Sequence, residues 1–166
     1  MNIEQIVNAT ECGYSEVTKE ELNAVDGAID FVGNLLEALD VSSSDADDNP
    51  RAVHALLGVT TEYGEYLDAY KKHVFYRKPL DHVNCSEELF DIMYYLEILR
   101  QAIDLDVSRA IQLIVGRLSL HGVTLQECIN LGGEKLKRRY PDGFTSKGAT
   151  ERNLEKEREA LEGGAK

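Results

Sequence analysis

The stretch 62–91 reads EYGEYLDAYKKHVFYRKPLDHVNCSEELFD, and it begins and ends with two acidic residues three positions apart. The first pair is Glu62 with Glu65, the second is Glu88 with Asp91, and 22 residues separate them. Residues three apart share one face of a helix, so each pair presents two carboxylates in one direction. If the two helices pack antiparallel across the connection between them, the four carboxylates converge on one spot.

Four clustered carboxylates call for a cation, because they repel one another and lose hydration unless a positive charge compensates them. Oxygen ligands select hard ions, so the pattern predicts Mg²⁺, with Mn²⁺ able to substitute, rather than zinc. Asp91 lies within the apolar run SEELFDIMYYLEILRQAI (86–103), and acids in such positions are generally paired or bound to metal. The alternative interpretation is two solvated helix edges without a metal.

Composition limits the class of protein and its partners. The chain has 166 residues with 43% hydrophobic residues and only 3 Pro, which suits one mainly helical domain with an ample core. Its net charge of −12 argues against nucleic acid or an anionic membrane as partner. No apolar run approaches the roughly 18 residues of a membrane span. Three scattered cysteines and the absence of a signal-peptide pattern lead us to expect a cytoplasmic protein with reduced thiols.

Apolar residues recur at helical spacing along most of the chain, and no segment is typical of a strand, so we expect an all-α fold. A capping box of Thr18 with Glu21 starts the first helix, and Asn84 with Glu87 is expected to cap the third. The expected helices are 18–39, about 51–75, the segment after Asn84 to 103, 107–121 (an extension of the third helix or a separate helix after a kink near Asp104), 124–139, and an exposed helix in the charged tail after Ser146.

The acidic pairs and the phrases around them resemble the MazG-like all-α nucleoside triphosphate pyrophosphohydrolases, in particular the short forms found in bacteriophages and bacteria. The matching phrases are TEYGEYLDAYKKHVFYRKPLD (61–81), EELFDIMYYL (87–96) and EKLKRRYPDGF (134–144). The resemblance covers about 52–105 and 124–153. It implies an antiparallel helical bundle that forms a homodimer or homotetramer.

On this resemblance we expect a MazG-like catalytic core over 51–145. An N-terminal helix with an acidic connector (1–50) precedes it, and a charged tail (146–166) follows. The implied reaction is hydrolysis of a nucleoside or deoxynucleoside triphosphate to the monophosphate and pyrophosphate, for nucleotide-pool control or sanitation in a bacterial or phage-infected cytoplasm. The alternatives are a dUTPase- or dCTPase-like enzyme, an enzyme similar to phosphoribosyl-ATP pyrophosphohydrolase, and a non-catalytic helical assembly module.

The resemblance also implies roles for individual acids. Glu62, Glu65, Glu88 and Asp91 would hold Mg²⁺, and Glu65 is expected to help activate a water, with Glu62 as the other candidate. One departure concerns Gly132, because many relatives carry Asn at that position. This leaves open which residue there would contact sugar, base or metal.

Basic residues are the expected phosphate contacts. Lys135 and Arg139 match the basic positions of the family, one turn apart on a later helix. Lys72 and Lys78 follow the first acidic pair and are the other candidates, although lysines at a helix C-terminus also complement its dipole. None of the four histidines has a partner at metal-ligand spacing, so none is assigned to the site. The tyrosines around the motif are expected in the core or at a subunit interface.

Overall fold

The structure of the protein is a computed structural model, and it describes Gln5 together with 17–39, 49–141 and 154–162, except for the side chains of 154–156. Every regular element in these residues is helical, which confirms the all-α expectation at the level of fold class. Much of the expected N-terminal segment (1–50) lies outside the described residues, including 40–48 of its acidic connector, which was expected over 40–50; the residues directly after Pro141 lie outside them as well. The described helices are α1 (Lys19–Leu39), α2 (Pro50–Phe75), α3 (His82–Ile103), α4 (Ser108–Leu120), α5 (Leu125–Arg139) and α6 (Leu154–Glu162).

Helices α2 and α3 pack antiparallel and form the centre of the molecule. At one end the side chain of Asn49, just before α2, donates a hydrogen bond of 3.1 Å to the carbonyl of Ala102, near the end of α3. The short connection 76–81 joins the opposite ends. The remaining described helices pack around this pair, and none of the helices described is both long and apolar enough to cross a membrane. The buried core side chains that α2 and α3 contribute include Val59, Tyr66, Leu89, Ile92 and Leu96.

Side-chain caps set where these helices begin. Thr18 and Glu21 form the expected capping box, with hydrogen bonds of 2.8 and 3.2 Å between each backbone N–H and the other side chain. The prediction that Asn84 caps α3 is wrong. Asp81 is the cap, since its carboxylate accepts the backbone N–H of Asn84 at 3.0 Å, and the helix therefore begins one turn earlier.

Helix α4 is separate from α3, which decides between the two interpretations of 107–121. Helix α3 ends at Ile103, and Asp104 adopts a left-handed conformation with φ 53° that stops the helical hydrogen-bonding pattern. After a short turn, α4 begins at Ser108 and packs against α1 and α3.

Helix α6 is not the exposed helix that the charged tail predicts. Glu157, Ala160 and Leu161 are buried, because their spacing places them on one face that packs against α5 and α3. Arg158 of the same helix donates hydrogen bonds of 2.9 and 3.1 Å to the two carboxylate oxygens of Asp81. Helix α6 therefore packs against the helical core.

Candidate functional site

Three glutamates from the central helix pair come together at one point. Glu62 and Glu65 of α2 and Glu88 of α3 each offer a carboxylate oxygen, and these oxygens all lie within 4.8 Å of one another. Glu65 is exposed, Glu62 is half-buried, and Glu88 is only 4% exposed. The antiparallel packing of α2 and α3 therefore produces the convergence that the sequence spacing predicts for these three residues.

Burial and neighbouring carboxylates shift the pKa values in this group upward, and the charge of Lys135 partly opposes the shift at Glu62. Burial raises the pKa of Glu88 to about 9, and the hydrogen bond to Glu62 and the nearby carboxylates of Glu87 and Glu65 contribute to that rise. Burial, together with the charge of Asp91, also raises the pKa of Glu62. At neutral pH and without a cation, Glu88 is therefore protonated and donates its proton to the Glu62 carboxylate.

Asp91, the fourth expected ligand, lies beside this group but has a different partner. Its Oδ2 is 2.5 Å from the Nζ of Lys135 on α5, and the same ammonium lies 3.1 Å from Oε1 of Glu87. Burial opposes the charge on Lys135, but Asp91 and Glu87 outweigh it and raise the pKa of the lysine. Burial also raises the pKa of Asp91, and the charge of Lys135 opposes that rise. A metal-binding role for Asp91 stays a prediction.

The carboxylates open into a cavity of about 790 Å³. Ligand pockets for molecules of nucleotide size fall within this range of volume. Arg139 of α5 and Arg158 of α6 also line it. The end that lies toward the start of α2 and the end of α3 is lined by Arg51, His54, Tyr94, Tyr95 and Ile98.

The expected phosphate-binding residues separate into two sets. Arg139 lines the cavity, and Lys135 lies fully buried behind it against Asp91. Lys72 and Lys78 do not line this cavity. Lys72 lies in the last turn of α2 and forms an ion pair of 2.5 Å with Asp68. This position favours the alternative interpretation, in which the lysine complements the helix dipole and does not contact phosphate.

The glycine at position 132 has a packing explanation. A Cβ built on Gly132 would lie 2.3 Å from ring carbons of Phe90, closer than any van der Waals contact. The ring of Phe90 on α3 therefore occupies the space that a side chain at this position of α5 would need. An asparagine at 132 would require Phe90 to move, and with it the packing of α5 on α3.

Two residues at the site, Glu87 and Glu157, were not predicted from the sequence to belong to it. Glu87 is expected from the sequence only as a helix cap, yet it shares the Lys135 ammonium with Asp91. Glu157 is buried on α6, with its Oε1 3.8 Å from the Nε of Arg139. The helical spacing of Glu157, Ala160 and Leu161 could have indicated that one face of α6 is buried. Such spacing also occurs in charged helices that pack against nothing, so it does not by itself predict a buried helix.

Comparisons of the chain with protein-family models, with curated proteins and with solved structures found no match. The motif resemblance and the geometry of the carboxylate cavity are the basis for proposing a function.

Proposed function

We propose that this protein is a Mg²⁺-dependent nucleoside triphosphate pyrophosphohydrolase of the MazG-like type, built as that family's helical bundle. It would cleave a nucleoside or deoxynucleoside triphosphate between the α and β phosphates. The observation that carries the proposal is the convergence of Glu62, Glu65 and Glu88 from two antiparallel helices at the wall of one cavity. The motif resemblance supports the choice of reaction.

The donor set fits a hard divalent cation. Three carboxylates offer oxygen atoms close enough to share one ion, and oxygen-only sites select Mg²⁺ or Mn²⁺ over softer metals. Burial, the hydrogen bond to Glu62 and the neighbouring carboxylates of Glu87 and Glu65 raise the pKa of Glu88, and a bound cation would offset the repulsion among these carboxylates. Glu62, Glu65 and Glu88 would hold the ion, and Asp91 would join them on leaving Lys135. Bound Mg²⁺ would neutralise phosphate oxygens and lower the pKa of a coordinated water.

Individual side chains of the protein would have separate roles in the reaction. Glu65, the most exposed of the three glutamates, would accept the proton of the attacking water, as a carboxylate general base does. The water oxygen would form a new bond to phosphorus as the bond to the bridging oxygen breaks, and that oxygen would leave with the bonding electrons. Arg139 would orient the phosphate oxygens through its fork of N–H donors.

We also propose that the chain forms a homodimer or homotetramer, as the resemblance implies. Exposed apolar side chains on the outer face of α1 support this. Leu22, Ile29 and Leu36 recur at intervals of seven residues and are 44%, 53% and 51% exposed. Such a stripe is typical of a helix that packs against another helix. Light scattering coupled to size-exclusion chromatography measures the assembly directly, and a monomer at micromolar concentration would contradict it.

The decisive experiment is a panel of the eight common ribo- and deoxyribonucleoside triphosphates with Mg²⁺, in which monophosphate, diphosphate, pyrophosphate and phosphate are resolved. Monophosphate with pyrophosphate, lost in Glu88→Gln, supports the proposal. Glu97→Gln is the matched control, because Glu97 lies on the same helix, outside the cavity, and pairs with Arg100 at 2.8 Å. Diphosphate with phosphate would overturn the bond assignment. The absence of turnover with every member would favour a non-catalytic helical module.

A further inference from the structure

Helix α6 places a buried carboxylate against an arginine of the carboxylate cavity. Glu157 and Arg139 both line that cavity, and Glu157 is only 4% exposed. The Oε1 of Glu157 lies 3.8 Å from the Nε of Arg139, a distance that fits an ion pair but is too long for a hydrogen bond between these two atoms. The contact between them is therefore electrostatic, without the directional strength of a hydrogen bond.

Arg139 is also close enough to the acids of the cavity to act on them. Burial raises the pKa of Asp91, and the charges of Lys135 and Arg139 oppose that rise. Lys135 forms ion pairs with Asp91 and Glu87 and is fully buried, whereas the side chain of Arg139 is 16% exposed. A phosphate in the cavity would bind this guanidinium through charge-assisted, bidentate hydrogen bonds. Phosphate and the Glu157 carboxylate therefore compete for the same cation.

The helix that carries Glu157 depends on the core for its own stability. Helix α6 has nine residues, Leu154–Glu162, and isolated helices of this length are marginal in water. It is attached through the buried side chains of Ala160 and Leu161 and through the hydrogen bonds from Arg158 to Asp81. Short elements with few buried apolar side chains open at low free energy. A ligand that takes Arg139 away from α6 therefore has only a modest cost to overcome.

We propose that α6 is an autoinhibitory element, in which the Glu157 carboxylate occupies Arg139 and a polyphosphate ligand of the cavity must displace it. This inference rests on the proposed function, since it takes the ligand of the cavity to be a polyphosphate. Helix α6 lies beyond 52–105 and 124–153, the parts of the chain that carry the family resemblance, so this device belongs to the chain's own tail. The docked helix raises the ligand concentration at which the cavity fills, and its release lowers that concentration.

The first test measures binding of Mg²⁺-tripolyphosphate to the full chain by calorimetry, so it does not depend on turnover. Glu157→Gln keeps the shape of the side chain and removes its charge. We expect this variant to bind tripolyphosphate about tenfold more tightly, because like charges held side by side oppose binding. Glu159→Gln is the matched control, because it removes the same charge from an exposed position of the same helix outside the cavity, and it should bind as the wild type does.

Hydrogen exchange of the α6 amides measures the displacement itself. Tripolyphosphate should speed exchange over 154–162 in the wild type, because the ligand takes Arg139 from Glu157. Asp81→Asn tests the same inference without changing Glu157. Asparagine still caps α3 but loses the charge that holds Arg158, so this variant should exchange faster in α6 and bind tripolyphosphate more tightly than the wild type. Circular dichroism checks that each variant is folded.

The outcomes separate this inference from the proposed function. Unchanged or weaker tripolyphosphate binding in Glu157→Gln would overturn autoinhibition, and weaker binding would make Glu157 a residue that positions Arg139. Slower exchange of α6 once the ligand binds would also overturn it, because the helix would then close on the ligand. Tighter binding in Glu157→Gln with faster α6 exchange on binding, but no hydrolysis of any natural triphosphate, would keep the autoinhibitory role and overturn the proposed hydrolysis.

Discussion

Asp91 and Lys135 form a buried ion pair in which the carboxylate Oδ2 lies 2.5 Å from the Nζ of the lysine. The lysine side chain is 0% exposed and the aspartate side chain 17%. The acid that the sequence singles out within an apolar helix is therefore compensated by a cation from α5, 44 positions away. Its burial alone therefore does not require a metal. The same lysine lowers the pKa of Glu62 only through its charge, and its ion pairs are with Asp91 and Glu87.

Breaking this ion pair from one side should destabilise the protein more than removing both charges. Asp91→Asn leaves Lys135 buried against Glu87 alone, and losing one partner of a buried pair costs about 3 kcal/mol or more of unfolding free energy. Asp91→Asn combined with Lys135→Met should recover part of that loss, because no uncompensated ammonium stays buried. Urea unfolding of the single and double variants measures the coupling.

The matched control for that cycle is the exposed pair of Lys137 and Glu134, one turn of α5 apart, at 2.7 Å. Neutralising Glu134 should change the unfolding free energy by less than about 1 kcal/mol. Additive effects of Asp91→Asn and Lys135→Met would contradict the buried pair.

Glu88 should make the stability of the metal-free protein fall as the pH rises. Its pKa in the folded state is about 9, above the 4.5 of an ordinary glutamate, so its favourable contribution is complete below pH 4.5 and disappears as the pH rises toward 9. Glu88→Gln cannot ionise, and its stability relative to the wild type should therefore increase between pH 5 and pH 9. Urea unfolding in the presence of a chelator measures the difference.

Glu97→Gln provides the comparison for this pH series. Hydrogen bonds from Arg100 and Gln101 lower the pKa of Glu97 to about 2, so this group stays ionised across the same range. Curves for Glu88→Gln and wild type that run parallel from pH 5 to pH 9 would show that Glu88 ionises normally.

Mg²⁺ should raise the melting temperature of the protein through the three glutamates. A ligand that binds only the folded state stabilises it by mass action, and the gain grows with the ratio of free ion to dissociation constant. Glu62→Gln with Glu88→Gln should remove the shift, while Glu97→Gln should keep it. Differential scanning fluorimetry over a Mg²⁺ titration measures the effect, and a double variant that responds like the wild type would place the ion elsewhere.

Two buried tyrosines on α2 should respond in opposite ways to loss of the hydroxyl. The Tyr66 oxygen accepts a hydrogen bond of 2.5 Å from Nε of Arg117 and lies 3.1 Å from Nε2 of His121. Tyr66→Phe leaves the buried His121 and the half-buried Arg117 without this partner and should cost about 1–3 kcal/mol. The Tyr63 hydroxyl is buried without a hydrogen-bond partner among the described residues, so Tyr63→Phe should be neutral or stabilising.

Denaturant unfolding of the two phenylalanine variants under identical conditions tests this contrast, because both changes remove one oxygen from the same helix. Equal destabilisation of the two would mean that the polar network around Arg117 contributes little beyond packing.

Adjacent glycines on α5 should also behave differently. Gly132→Ala brings a methyl group against the ring of Phe90, and such overpacking costs about 1–3 kcal/mol. Gly133→Ala has no atom within 4 Å of the added carbon, so the better helix propensity of alanine should stabilise the protein by up to about 1 kcal/mol. Thermal unfolding measures both, and Phe90→Leu should partly rescue Gly132→Ala by shortening the ring side chain.

Patterns within a few residues predicted most of the fold. The capping box at Thr18 and the helical spacing of apolar residues predicted helices whose bounds agree closely with those observed. Where two capping residues competed, at Asp81 and Asn84, the sequence favoured the wrong one. Both can cap a helix, and only the path of the chain after the turn over 76–81 determines which side chain reaches the free N–H groups.

The sequence by itself determined that the chain is helical, and it predicted that Glu62, Glu65, Glu88 and Asp91 converge if two of the helices pack antiparallel. The three glutamates meet as predicted, because their fixed spacing places them on facing sides of that helix pair. Only the tertiary structure decided that Asp91 pairs with Lys135, that Phe90 fills the space at Gly132, and that α6 packs on the core. These contacts join residues dozens of positions apart. They depend on how whole helices pack against one another, and no local pattern of side chains encodes that packing.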